Sequence, residues 1–588
     1  MKVNGLAGIG CLAMLVGAAV SGAAAETLPA EAELIAVLRS DAAEADKALA
    51  CKKLAVKGSA AAVGDLAALL ANERLASWAR IPLEAIPGPE AGAALRNAAG
   101  SLSGKLLVGV INSLGAKRDA AATDLLVARL ADADAEVAAA AAAALGKIGT
   151  PAAAAALAKA LVAGPRLDDV AQAAIVCAER LHGAGSAQEA AALYDAVRKA
   201  SVSEQRLAEA TRGLILARGK DGIPLLIETL RSPARRISNV GLFTARELLD
   251  GAQAGEVDIA LAEEATRLAG AGSGDQAALV VKVLADRNAD GGAGPGLQAT
   301  VLRWAASGPQ AVRLAALEAT GRISDASAVD PLIGLSGDAA VADAVRAALV
   351  ALPGEGVDRV VIARLSGASP AALPVLLKVV GARRIAAVPQ VAPLVSSGDA
   401  ATRSAALEAL GNVVDLANLN LLVDAVQQPR DLVDAEVAQK ALLTACVRMP
   451  DREACAEKLA TAIGAASGET KEKLLDIIGQ VGGTKALATV AAAAKSGDEA
   501  LADAATRLLG KWMTADAAPV LLELATAPIG EKYQTRAIRG ASRIARQFAL
   551  PDAERAELCS KVLALAKDPA DRKSVLEALP RYPSPATL

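Results

Sequence analysis

The apolar positions of this chain recur with a helical period behind a fixed starting signal. From Asp134 to Val162 it reads DAEVAAAAAAALGKIGTPAAAAALAKALV. Counting from Asp134, apolar residues at offsets 3, 7, 11 and 14 fall on one helical face. The aspartate accepts the free N–H groups of the first turn. The run reaches Leu145-Gly146 and ends near Gly149, and Thr150-Pro151 opens a second helix. A proline costs no hydrogen bond at that position. The stretch therefore predicts a helix hairpin.

The same register returns along the chain. Asp134, Asp338, Asp399 and Asp498 are followed eleven residues later by Leu145, Leu349, Leu410 and Leu509. The next residue is Gly146, Gly411 or Gly510 in three copies and Val350 in the fourth. Val137, Val341, Thr402 and Leu501 stand at offset 3, and Ile148, Leu352, Val413 and Trp512 at offset 14. Ser-Gly-Asp opens three copies, at 336–338, 397–399 and 496–498. Pro331 and Pro519 sit near the start of partner helices, as Pro151 does. Such hairpins cannot bury their apolar faces alone, so they stack.

This spacing resembles HEAT repeats, in the short form common in bacterial proteins and in phycobilin lyases. The resemblance covers nearly the whole chain after the leader. It implies an all-α fold, a right-handed α-α superhelix of HEAT/armadillo type. Because packing positions define that family, it says little about function.

Length fits a solenoid. A single core stops growing near ~250–300 residues, whereas stacked repeats have no such limit. At ~30–40 residues per hairpin, the 588 residues supply roughly fifteen. The chain is 53% hydrophobic but 1% aromatic, and much of the apolar content is alanine, which favours helix and close packing. A net charge of −3 gives no electrostatic case for nucleic acid. Helices are expected at 31–38, 42–56, 60–70, 76–86, 90–102, 105–114, through 120–162, and at 167–181, 187–199, 204–217, 223–230 and 235–249. A glycine-rich interruption follows, with one helix at Gln276–Ala285 inside it. The most flexible part is expected at Asn288–Gly296, a hinge between a 26–287 arm and a 297–588 arm. The last stretch, Arg581–Leu588, is expected to fray.

Residues 1–25 read as a signal peptide. Lys2 supplies the positive end, Leu6–Val20 the apolar region, and Ala23-Ala24-Ala25 the small residues at the cleavage site. A periplasmic or secreted protein is expected, with no stable membrane insertion after cleavage.

Catalytic signals are sparse. The one histidine, His182, stands at a helix end and reads as solvent-facing. One histidine makes no zinc site of the usual kind, and no Ser–His or Cys–His pair is visible. No cofactor is expected. Trp78, Trp304 and Trp512 fall at core positions of their helices. Asp286, Asn288 and Asp290, followed by Gly291, match the first half of a calcium loop. The position for its bidentate glutamate holds Leu297, and an Asn/Asp/Gly turn has the same composition. After the leader the cysteines are Cys51, Cys177, Cys446, Cys455 and Cys559. Cys446 and Cys455 are nearly symmetric about the Pro450-Asp451 turn, so a hairpin brings them face to face. A disulfide is the expectation there, with two buried apolar thiols as the alternative.

One helix stands out for binding. In Glu531–Ala549, the residues Lys532, Arg536, Arg539, Arg543 and Arg546 fall within about an 80° arc. Taken as the second helix of its pair, it lines the concave side by the resemblance to HEAT stacks. Arginine forks suit carboxylates and phosphates. The ridge is expected to dock another protein or an acidic ligand. The alternative is a solvated face, its charge answered by Glu523, Glu554 or Glu557. As exposed charges, Arg539→Glu with Arg543→Glu should cost no more than about 1 kcal/mol. Two function classes remain: a non-catalytic protein-interaction scaffold, and a lyase-like or enzyme-accessory protein, which only the resemblance motivates. The scaffold is the expectation.

The leader reading is checked by N-terminal sequencing. Mature protein should begin at Glu26, and retention of Met1 or Lys2 rejects it.

Overall fold

The computed structural model describes residues 29–248, 253–290 and 293–577. Every regular element among them is helical. The leader and the Arg581–Leu588 stretch lie outside the described residues. The chain divides into two compact units, up to Val257 and from Asp258. That boundary falls inside helix Gln253–Gly270, for which the sequence reading placed no element, and not in the glycine-rich stretch.

Each unit is a two-layer stack. In the first unit, Glu44–Lys57, Ala76–Ala85, Gly104–Lys117, Ala135–Ile148, Leu167–Gly183, Glu204–Arg218 and Arg235–Glu247 pack successively on one another. Shorter helices such as Pro89–Ser101 and Pro151–Ala160 pair with them on one side. The second unit repeats the plan. Its long layer runs from Gly274–Arg287 and Gln310–Ile323 through Ala400–Val413, Leu432–Arg448, Gly468–Val481 and Glu499–Gly510 to Glu531–Gln547 and Pro569–Leu576.

The repeated aspartates act as the register requires in three copies of four. Asp134 accepts from Glu136 N at 2.9 Å, Asp399 from Thr402 N at 2.8 Å and Asp498 from Leu501 N at 3.1 Å. Asp338 instead closes the turn before its helix, accepting from Ala340 N at 3.0 Å, and the helix starts at Ala342. Pro151 is the first residue of its helix, and Thr150 Oγ1 accepts from Ala153 N at 3.2 Å.

The repeated glycines have a packing role that the sequence reading had not assigned. Gly146 and Gly411 lie inside their helices. A Cβ on Gly146 would sit 2.6 Å from the Ala173 carbonyl oxygen, and one on Gly411 would sit 2.8 Å from that of Ala441. Gly115 meets Ala144, Gly321 meets Ala348 and Gly381 meets Ala409 in the same way. Successive helices of the long layer thus touch backbone to backbone, one repeat apart.

A second recurring contact closes the helix ends. Lys117 Nζ donates to Ile86 O at 2.7 Å. Arg383 donates to Val350 O and Leu352 O at 2.8 and 2.6 Å, and Arg448 donates to Val414 O. Each cation stands late in one long helix and caps the last carbonyls of the preceding one, which would otherwise have no intrahelical donor.

The glycine-rich segment is tied down on both sides of Gly291 and Gly292, which lie outside the described residues. Asn288 is buried, and its amide donates to Asp258 Oδ2 at 3.0 Å and Leu284 O at 2.9 Å. Gln298 Nε2 donates to Ala293 O and Ile323 O.

Gly411→Ala should destabilise the chain by about 1–3 kcal/mol, because the added methyl has no room. Gly464→Ala, with nothing within 4 Å, should be neutral or slightly stabilising. Urea titration of both variants checks the contrast; equal midpoints would refute the packing role.

Candidate partner-binding site

Helix Glu531–Gln547 follows Gly530, whose φ of 98° suits a residue without a side chain. Tyr533, Ala537, Ile538, Gly540, Ala541, Ile544 and Ala545 are its buried face. It belongs to the same layer as the helices that open behind Asp399 and Asp498. In that register it takes the place of a first helix, not the second helix of its pair.

The five cations of the ridge have separate fates. Lys532 Nζ lies 2.6 Å and Arg536 Nη1 3.1 Å from Asp503 Oδ1, and Arg507 approaches the same carboxylate at 3.3 Å. Hydrogen bonding, first from Lys532 and then from Arg536, holds the Asp503 carboxyl below the usual carboxylate range, against the desolvation that raises it. Arg536 also donates to Thr506 Oγ1 at 3.0 Å. Arg539 pairs with Asp571 at 2.8 Å and Asp568 at 3.4 Å. Arg543 contacts no carboxylate. It donates to Gly510 O at 3.0 Å and to Trp512 O, and its guanidinium lies 5.3 Å from the Phe548 ring centroid. Burial lowers its pKa from the ordinary arginine value. Arg546 donates to Ser574 Oγ at 2.7 Å.

Arg543 is therefore the C-terminal cap of helix Glu499–Gly510, the counterpart of Arg383 and Arg448. The expectation that it is a free surface charge is corrected. The carboxylates named for the ridge are corrected too. Glu523 pairs with Lys495 at 2.5 Å, and Glu557 pairs with Lys561 on its own helix at 2.6 Å. Asp503, Asp568 and Asp571 take their place. Asp503 stands 33 residues before Arg536, close to one repeat, which is the only sequence signal that could have found it. A groove of about 540 Å³ opens beside the ridge. Ala525, Ile538 and Leu565 line it together with the charged Glu531, Lys532, Arg539, Lys567, Asp568 and Asp571.

The other candidates are dispersed. Asp286 stands in helix Gly274–Arg287 and accepts from Arg322 at 2.8 Å. Asn288 turns its amide nitrogen to Asp258 and Leu284. Among the described residues no group of three or more His, Cys, Asp or Glu side chains is placed to hold a metal ion. His182 is exposed at its helix end. Trp304 and Trp512 are only 4% exposed, but Trp78 is 40% exposed. Cys446 and Cys455 meet across their turn, as the symmetry requires, but both are buried free thiols without a bridge.

A family model described as HEAT repeats matches residues 92–179. The fold is a HEAT-like helical solenoid. No curated protein matches the chain. Solved structures that resemble this HEAT-like chain include Kap95p, from work on how its binding induces the RanGDP switch loops to adopt the GTP-bound conformation. It is 13% identical, with 94% of this chain and 87% of that one covered at a TM-score of 0.37. Kap121p bound to RanGTP is 14% identical, with 83% and 56% covered at 0.39. Yeast importin-β (Kap95p) is 14% identical, with 95% and 88% covered at 0.34.

Arg543→Ala should cost about 1–3 kcal/mol, since it strips two carbonyls of a charged donor. Arg539→Ala, an exposed ion pair, should cost no more than about 1 kcal/mol. Denaturant titration separates them; equal losses would show that Arg543 is not a cap.

Proposed function

We propose that this chain is a non-catalytic scaffold exported from the cytoplasm, which captures an acidic partner protein on the face that carries the ridge of helix Glu531–Gln547, not on the concave side expected for a second helix. The observation that carries this reading is the charge imbalance around Asp503. Asp503 answers Arg507, Lys532 and Arg536, and Asp476 also faces Arg507, so two carboxylates meet three cations and positive charge is left over. Lys532 and Arg507 keep 63% and 58% of their side chains in water. Beside them the groove offers apolar floor as well as charge, the combination that gives an interface both affinity and orientation. The Lys2, Leu6–Val20 and Ala23–Ala25 pattern supports export.

Crosslinking and pull-down of the tagged mature chain from its native envelope tests the surface. Arg507→Gln with Lys532→Gln removes the surplus charge and touches no helix cap. The pair should leave the melting temperature nearly unchanged, sharply reduce the captured protein and flatten its salt dependence. Capture that persists unchanged would place the binding surface elsewhere.

A further inference from the structure

Helix Leu432–Arg448 and helix Arg452–Ala465 form a hairpin with three sulfurs at its closed end. Cys446 stands in the last turn of the first helix, Met449 in the connection and Cys455 in the first turns of the second. Cys446 and Cys455 are 0% exposed and Met449 is 6% exposed. The Cys455 thiol donates to Met449 Sδ at 3.4 Å, and Cys446 is a neighbour of Cys455 across the turn. We propose that Cys446, Met449 and Cys455 form a three-sulfur site for a soft monovalent metal ion, copper(I).

The donor set selects the metal. Two thiolates and a thioether suit copper(I), whereas zinc takes four nitrogen, sulfur or oxygen ligands. No imidazole or carboxylate cluster stands by to complete a zinc site among the described residues. Copper(I) displaces both thiol protons, so the site passes from neutral thiols to a complex of charge −1. Cys455 stands near a helix N-terminus, where a thiolate is favoured. Pro450 and Asp451 are exposed and give the hairpin end access to solvent.

The thioether separates this reading from a structural disulfide. A bridge needs the two cysteines alone, while a three-sulfur site needs Met449. The test uses the full mature chain, reduced and under nitrogen, titrated with copper(I) against bicinchoninate as a coloured competitor. The expected result is one copper(I) held per chain with two protons released. Cys455→Ser should abolish binding. Met449→Leu fills nearly the same volume, so it should keep the melting temperature while weakening copper(I) binding by more than about ten-fold. Failure of the reduced chain to hold copper(I) against bicinchoninate would overturn the site, and so would equal affinity in Met449→Leu.

Discussion

The approach of one long helix to the next, through glycine and alanine, sets the geometry of each unit. Gly146 against Ala173 and Gly411 against Ala441 leave no space for a methyl group. Backbones that close bury apolar surface with very small side chains, which is how a chain with 1% aromatic residues builds a continuous core. The same closeness aligns the helix ends. A basic side chain late in one helix then reaches the last carbonyls of its predecessor, as Lys117, Arg383, Arg448 and Arg543 do. Packing and capping thus share one repeat distance.

That shared distance explains why the charge on helix Glu531–Gln547 serves two ends. Arg543 points toward the preceding helix terminus, where backbone carbonyls compete for it and water is partly excluded. Arg539 leans toward Asp568 and Asp571 on the following repeat. Lys532 and Arg536 converge on Asp503 with Arg507. A single amphipathic stripe therefore divides into a structural end and a solvent-facing end. Positive charge without a matching carboxylate is what a partner could use.

The hairpin at Cys446 and Cys455 follows the same logic at smaller scale. Asp451 accepts from Ala454 N at 2.9 Å and fixes where the second helix starts. That start places Cys455 opposite Cys446. In the connection between the helices, Met449 is turned toward the interior.

The period of apolar residues, the capping aspartates and the Ser-Gly-Asp openings determined the helices and their stacking, because these are local signals a few residues long. They also brought Cys446 and Cys455 together, since a tight turn leaves two symmetric positions no other arrangement. The sequence alone could not say which cation meets which carboxylate. Asp503 and Arg536 stand 33 residues apart, and only the offset between stacked helices decides that they touch while Glu523 turns to Lys495. Nor could it say that Gly146 and Gly411 are contact points, because a glycine late in a helix also reads as a stop. Trp78 has a core pattern on its own helix, yet it is 40% exposed. The division into units falls at Val257 and Asp258, inside a helix, where no local signal marks it. Register between repeats is a property of the stack, and only the tertiary structure contains it.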